Sequence, residues 1–358
     1  MGDVWGNRIK LSLFGESHGP AIGVVIDGLP PGLAIDLEAV EAEMGRRAPG
    51  KSATATARRE ADRVEIVSGF FEGRTTGTAL CGLVYNKDTR SRDYSQIKRY
   101  ARPGHADFTG NERYRGFQDY RGGGHFSGRL TAPVVFAGAV CKQFLSSKGI
   151  QIYGHAKQIG GIIDTPVDPA TPPQAGQWGS AQMREIPVLD ENAGEKMRQA
   201  ILAAKAQGDS VGGIVEIVVT GLPAGLGNPF FDSVESAVAH LAFSIPAVKG
   251  IEFGSGFDMA AMKGSEANDP MYVEDGQIHT RTNRNGGLLG GITSGMPLIF
   301  SVAIKPTPSI SVVQETVDLE RREDAKLVVE GRHDPCIVPR AVPVLEAVAA
   351  IALADYMV

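Results

Sequence analysis

The chain has 358 residues, 42% of them hydrophobic, with 36 basic against 41 acidic side chains and a net charge of -5. A chain of this size buries a substantial core; its mild acidity and the lack of a basic run interleaved with aromatics exclude a nucleic-acid binder, and its apolar stretches stop short of a membrane span. The opening Met1-Gly2-Asp3-Val4-Trp5-Gly6 has no signal-peptide core, and Cys81, Cys141 and Cys336 lack CxxC or metal-ligand spacing, so a cytoplasmic protein with reduced thiols and no metal site is expected.

Residues Ile9 to Phe14 alternate as a half-buried strand does. Ile22 to Ile26 reads as a second strand, ending at the turn Gly28-Leu29-Pro30-Pro31-Gly32, and Asp36 is placed to cap a helix running to about Arg46. Arg63 to Val67 and Thr78 to Tyr85 read as strands. From Asp88 to Arg129 the chain is polar and glycine-rich; a structureless stretch of this length is either functional or disordered, and Tyr100, Phe108, Tyr114, Phe117 and Tyr120 argue for order. Ala132 to Leu145 predicts a buried helix, Ile214 to Val219 a strand, Asp232 to Phe243 a helix, Pro297 to Ile304 a strand and Val342 to Tyr356 an amphipathic helix. Strands exceed what simple βαβ alternation supplies, and no Gly-x-Gly-x-x-Gly joins a strand to a helix, so the expected class is α+β with antiparallel sheets.

The chain also repeats itself. Gly15-Glu16-Ser17-His18-Gly19, running on to Gly28-Leu29-Pro30-Pro31-Gly32-Leu33, aligns without a gap on Gly208-Asp209-Ser210-Val211-Gly212, running on to Gly221-Leu222-Pro223-Ala224-Gly225-Leu226. Val64 to Phe70 matches Ile251 to Phe257, and Gly73 to Gly77 matches Gly291 to Gly295, a register kept through Val84/Val302, Lys87/Lys305 and Ser91/Ser309. Three blocks in the same order imply one domain over 1–358 with a pseudo-twofold duplication, about 9–92 against 202–310, rather than a short-period solenoid. Where the first copy has His18 the second has Val211, so the scaffold does not itself require an imidazole there.

Five features can carry chemistry. His18 can exchange a proton near neutral pH, unless it is a surface-loop histidine. Arg102-Pro103-Gly104-His105-Ala106-Asp107 presents His105 beside a carboxylate able to set its tautomer, or else is an Asp turn with a bystander. Arg46-Arg47, with Arg129 and Arg332, can fork onto phosphate or carboxylate, although an arginine pair at a helix end also complements the helix dipole. In Gly331-Arg332-His333-Asp334-Pro335, Asp334 is a candidate base and Arg332 an anion clamp; Asp-Pro equally favours a plain turn. Gly122-Gly123-Gly124 and Gly286 to Gly291 would admit phosphate to backbone amides. Gly208-Asp209-Ser210-Val211-Gly212-Gly213 looks like a serine-hydrolase string, but the repeat accounts for Ser210 as the twin of Ser17. The residues together suggest an enzyme acting on a small, multiply anionic substrate.

Gly15-Glu16-Ser17-His18-Gly19, Arg102 to Asp107, Asp119-Tyr120-Arg121-Gly122-Gly123-Gly124, Ala247 to Gly254, Lys305-Pro306-Thr307 and Gly331 to Cys336 resemble the chorismate synthase family, and the match spans nearly the whole chain. The resemblance implies a cytoplasmic homotetramer with a β-α-β sandwich core. It implies a 1,4-anti elimination of phosphate from 5-enolpyruvylshikimate 3-phosphate, giving chorismate, with reduced FMN required and no net redox change. It implies that His18 protonates reduced flavin, that His105 is the acid toward the leaving phosphate and that Asp334 is the base, working through the flavin. Flavin contacts carry over to His125, Phe126, Ser127, Pro246, Ala247, Gly290, Lys305, Pro306, Thr307, Pro308, Ser309 and Arg332. Substrate and phosphate contacts carry over to Arg46, Arg47, Ser127, Arg129 and Arg332. NADPH is the reductant if the chain reduces its own flavin, and an external flavin reductase is a partner if it does not.

The chain departs from the family pattern at four of these places. His125 stands where arginine is usual, Phe126 where serine is usual, and Ala48 and Ala53 each where arginine is usual. A flavin-binding homologue with impaired catalysis is therefore the alternative.

Overall fold

Two five-stranded antiparallel sheets enclose a layer of helices in the computed structural model, which describes residues 2–50, 52–55, 62–87, 97–329 and 333–358. The first sheet runs β1 (Val4–Trp5), β2 (Lys10–Gly15), β3 (Ala21–Asp27), β7 (Leu80–Tyr85), β4 (Val64–Ser68), with the ribbon β5 (Phe70–Phe71) and β6 (Arg74–Thr75) between β4 and β7. The second runs β11 (Val248–Phe253), β16 (Leu298–Ile304), β10 (Gly213–Thr220), β8 (Gln151–Ile159), β9 (Ile162–Ile163). Three more ribbons pair β12 (Met271–Glu274) with β13 (Gln277–Thr280), β14 (Leu288–Leu289) with β15 (Ile292–Thr293), and β17 (Gln314–Asp318) with β18 (Glu323–Leu327). In the first sheet Ile22 faces Val84, Val25 faces Cys81 and Val64 faces Val84. In the second, Val215 faces Val302, Val218 faces Ile299 and Ile251 faces Val302. The positions aligned in sequence thus occupy corresponding rungs.

Between the sheets lie α3 (Thr131–Ser146) and α8 (Val338–Met357), flanked by α1 (Leu37–Arg47) and α6 (Val234–Ser244). Asp36 caps α1 as expected, accepting from the amides of Glu38 and Ala39. The expected amphipathic C-terminal helix is instead buried along almost its whole length, because helices meet it on its flanks and a sheet below. Small residues make that layer possible: a Cβ on Gly138 would stand 2.1 Å from Ala347 Cβ, and one on Gly82 2.4 Å from the ring of Phe136. The layer also holds charge. Glu346 is fully buried and meets Arg46 at 2.6 and 2.8 Å and Lys142, itself 2.7 Å from Glu43. Asp355, near the end of α8, accepts amides from Asn7, Arg8 and Ile9, tying the two ends of the chain together.

The outer face of the second sheet is covered by α4 (Ala175–Gln182) and α5 (Glu191–Ala206), which, with β8, sequence periodicity did not delineate. A buried polar set explains why. His155 lies between Asp164 (2.8 Å) and Glu216 (3.1 Å), Lys157 reaches Glu216 and Ser301, and Trp178 of α4 packs on Tyr153 and His155. Polar side chains on β8 hide its strand pattern until their partners are known. The short helix α7 (Gly264–Ala267) lies outside both sheets. Among the described residues no helix is long and apolar enough to cross a membrane, and no group of three or more His, Cys, Asp or Glu could hold a metal.

Candidate active site

The loop after β2 turns through Gly15 and Gly19 and buries Ser17 and His18. It rests on the triglycine. The Ser17 amide donates to Gly124 O at 3.2 Å, and a Cβ on Gly122 would stand 2.0 Å from His18 Nδ1. Gly122, Gly123 and Gly124 all have positive φ, of 60°, 83° and 53°. Only glycine takes three such residues without strain. The next position reaches the second histidine: a Cβ on Gly123 would stand 3.3 Å from Cε1 and Nε2 of His105. Successive glycines of one loop therefore touch His18 and His105. Glu16 lies beside them, its Oε2 buried and making no hydrogen bond among the described residues; burial pushes its carboxyl up, reinforced by Asp119 and Asp3 against His125 and Arg121.

His105 sits in the turn that opens α2 (Asp107–Tyr114). Its Nδ1 is 2.7 Å from Asp107 Oδ1, and Arg102 forks onto both oxygens of the same carboxylate at 2.7 and 2.8 Å. Burial alone would raise the Asp107 carboxyl, but hydrogen bonds from Arg102 and His105 hold it well below the usual carboxylate range. Arg102 also donates to Ser309 Oγ at 3.1 Å, and Lys305 Nζ donates to Gly104 O. The expected flavin-contact segment Lys305 to Ser309 thus lies against the His105 turn. The Lys305 amide donates to Ala247 O, bringing Pro246-Ala247 alongside; Ala247 has a positive φ of 76°.

The duplicate loop closes the other side. Ser210 Oγ donates to Thr307 O at 2.7 Å and the Val211 amide to Pro335 O at 2.9 Å, so Ser210 is occupied as a structural donor. Next to Pro335, Asp334 is bonded to Arg340, whose Nε donates to Arg47 O at 3.0 Å. Arg47 is bound by Asp62 (2.7 Å), Thr131 (3.0 Å) and Gly128 O (2.7 Å); Asp62 also holds Arg129. Arg129 donates to Asn86, and Asn86 donates to Glu16 O and Gly19 O. The contacts form a closed ring through both loops, and His18, His105 and Asp334 lie on it. Burial, with Arg340 and Arg129 close by, pushes Arg47 down to about 10 against the pull of Asp62, which leaves it cationic at neutral pH.

Some expected residues stand apart. Arg46 points into the helix layer, onto Glu346 and Glu43. Phe126 packs against α2, where a Cβ on Gly110 would stand 2.6 Å from its ring. Ser127 accepts the Arg129 amide at 3.3 Å as a local cap. His125 bonds to Gly15 O and Asp3. Gly290 lies in the β14–β15 turn, at the far end of β16 from Lys305; that seven-residue strand spans about 20 Å. Arg332 lies outside the described residues. Sequence reasoning did not single out Asp62, Asn86, Arg102 or Arg340 as site residues. Arg102 and Asp107 lay inside the quoted motif, while Asp62, Asn86 and Arg340 carried no local signal.

A phosphorylated flavin fits the residues present. The triglycine admits no side chain, Ser17 Oγ and Thr307 Oγ1 are buried without a hydrogen bond among the described residues, Arg102 lies 3.7 Å from the Gly123 Cβ position, and Lys305 reaches the His105 turn at Gly104 O. The family model described as chorismate synthase matches residues 9–358. A chorismate synthase of Methanothermobacter thermautotrophicus is 48% identical over 100% of this chain and 94% of its own length. One from Thermococcus gammatolerans is 48% identical over 98% and 96%, and one from Dehalococcoides mccartyi 46% over 99% and 96%. A crystal structure of chorismate synthase superimposes with a TM-score of 0.76 at 28% identity, over 99% of this chain and 92% of that one. Fold, site and relatives make the chain an α+β enzyme, a carbon–oxygen lyase acting on phosphates. It belongs to the chorismate synthase family.

Proposed function

We propose that the chain converts 5-enolpyruvylshikimate 3-phosphate to chorismate by 1,4-anti elimination of phosphate, with reduced FMN bound and no net redox change. The observation that supports this reading is the triglycine loop whose successive positions meet His18 and His105, with contacts running on from the His105 turn through Lys305 to Ser309 and Val211 to Pro335 beside Asp334. The bound reduced flavin would supply electron density as phosphate leaves; Pro246-Ala247 and Lys305 to Ser309, which lie against the His105 turn, would hold it, with Arg332. The proton work belongs to the chain. His105, fixed through Nδ1 by the ionised Asp107 and with Arg102 Nη2 3.2 Å from its Nε2, is the acid toward the leaving phosphate, the adjacent guanidinium favouring release of its proton. His18 holds an exchangeable proton at the wall formed by Gly122. Asp334, oriented by Arg340, takes up the proton lost from the substrate. Arg47, Arg129 and Lys305 place cationic charge where a multiply anionic substrate and its phosphate must be neutralised.

The two sheets, with equivalent rungs at equivalent positions, support an internal duplication within one domain. Phe230 and Phe231, each 91% exposed, and Phe257, 82% exposed, are apolar surface that self-association would cover; a homotetramer belongs to the same reading and would also let the Gly290 turn of one copy approach the site of another. A cytoplasmic location belongs to the same reading.

Pure protein given reduced FMN and 5-enolpyruvylshikimate 3-phosphate without oxygen is expected to release phosphate and chorismate in equal amounts. No product under those conditions overturns the reading, and flavin binding without turnover favours the impaired homologue. A visible spectrum recorded with NADPH alone separates self-reduction of the flavin, which bleaches it, from dependence on an external reductase.

A further inference from the structure

We infer that His125 is a positioning residue whose doubly protonated ring ties the loop carrying His18 to the N-terminal segment, a tie that weakens when the ring loses a proton. Its Nδ1 lies 3.1 Å from Gly15 O and its Nε2 2.9 Å from Asp3 Oδ1. Both partners are acceptors. A carbonyl and a carboxylate each need a donor, and a neutral imidazole has one N–H to give, so only the imidazolium serves both. Gly15 is the hinge of the His18 loop: its φ is 103°, and a Cβ there would stand 2.4 Å from Ala21 O, so its carbonyl has little freedom to find another donor. The second tie of this loop, Ser17 N to Gly124 O, comes from the residue preceding His125.

The charged groups around the ring favour its cationic form. Asp3 faces it from the N-terminal segment and Glu16 from the loop; beyond Glu16 lie Asp119 and Arg121, locked to each other at 2.9 and 2.7 Å. Burial works against the charge, but Gly15 O, Asp3 and Glu16 outweigh it and raise the ring above its ordinary value. For a raised histidine the tie is complete below the unfolded value of about 6.5 and is lost as pH rises through the folded one. The arginine usual in the family at this place would keep its charge at every working pH. In this chain the order of the catalytic loop is therefore coupled to pH. The tie itself rests on the geometry; its effect on turnover rests on the proposed function.

The test uses the full chain, isotope-labelled, with ring-nitrogen NMR and amide exchange read together. Both ring nitrogens of His125 are expected to be protonated at pH 6, with a midpoint that falls in Asp3→Asn. Protection of the Ser17 amide is expected to drop about tenfold as pH passes that midpoint, and by as much at pH 6 in His125→Gln, the loss of one charge-assisted hydrogen bond. His125→Arg should keep protection at high pH and carry turnover to higher pH than wild type. A neutral ring at pH 6, or Ser17 protection indifferent both to the midpoint and to His125→Gln, overturns the inference. If protection follows the ring but no form of the protein yields chorismate, the proposed function fails and the tie stands.

Discussion

The imidazoles of His18 and His105 rest on successive glycines of one loop, and this decides what single substitutions should do. His18→Ala is expected to lower turnover by a factor on the order of 10², the usual worth of a general acid, as read by anaerobic phosphate release. Asp107 acts differently, because its carboxylate orients His105 and holds Arg102. Its pKa is depressed in the folded chain, so its contribution to stability is present above the unfolded value of about 3.9 and lost as pH falls below it. Asp107→Asn should cost about 2 kcal/mol in urea unfolding at pH 7, and progressively less as pH falls below about 3.9 toward the strongly depressed folded value. The residues themselves were legible to different degrees. His18 stood out because its twin is Val211, and His105 because Asp107 follows it. Asp62, Asn86 and Arg340 were not legible, since an isolated Asp, Asn or Arg acquires its meaning from a partner far along the chain.

At the scale of elements, the polar region that lacked pattern in the sequence becomes α2 and a run of glycines that forms the wall between two histidines. Gly122→Ala should displace His18 and remove most activity, since its Cβ would overlap the ring and its φ is positive. Gly128→Ala is the matched control: nothing lies within 4 Å of its Cβ, and activity and melting temperature should stay near wild type. In the helix layer, Gly138→Ala would drive a methyl into Ala347 and should cost about 2–3 kcal/mol by denaturant unfolding. The sequence marked α3 as buried because Ala, Val and Phe occupy most of its faces. It misread α8 as amphipathic, because Arg340, Glu346 and Asp355 look like a polar face until each is seen with its buried partner.

Across the whole molecule, the layer between the sheets is closed by Glu346, which faces Arg46 and Lys142 with no access to water. Burial would raise this carboxyl, but the two cations hold it well below its ordinary value. Glu346→Ala leaves Arg46 and Lys142 with only the half-buried Glu43 between them and should cost about 3 kcal/mol. The wild type should lose stability as pH falls below about 4.5, the unfolded value, while Glu346→Gln should lack that part of the acid dependence; urea unfolding across pH 3 to 7 measures both.

The sequence by itself determined the family, the α+β class with antiparallel sheets, and the places where imidazoles and glycines concentrate. These are properties of neighbouring residues: alternation, turn chemistry and a motif repeated once with one histidine changed. Tertiary structure alone decided which partner each arginine takes and which of them hold the helix layer together. Arg46 and Arg47 are adjacent in sequence yet point to Glu346 and Asp62, because consecutive residues on a helix face different sides. It also decided that Ser210 is a structural donor and Ser17 part of the site, since two identical side chains differ only in what the rest of the chain brings to them.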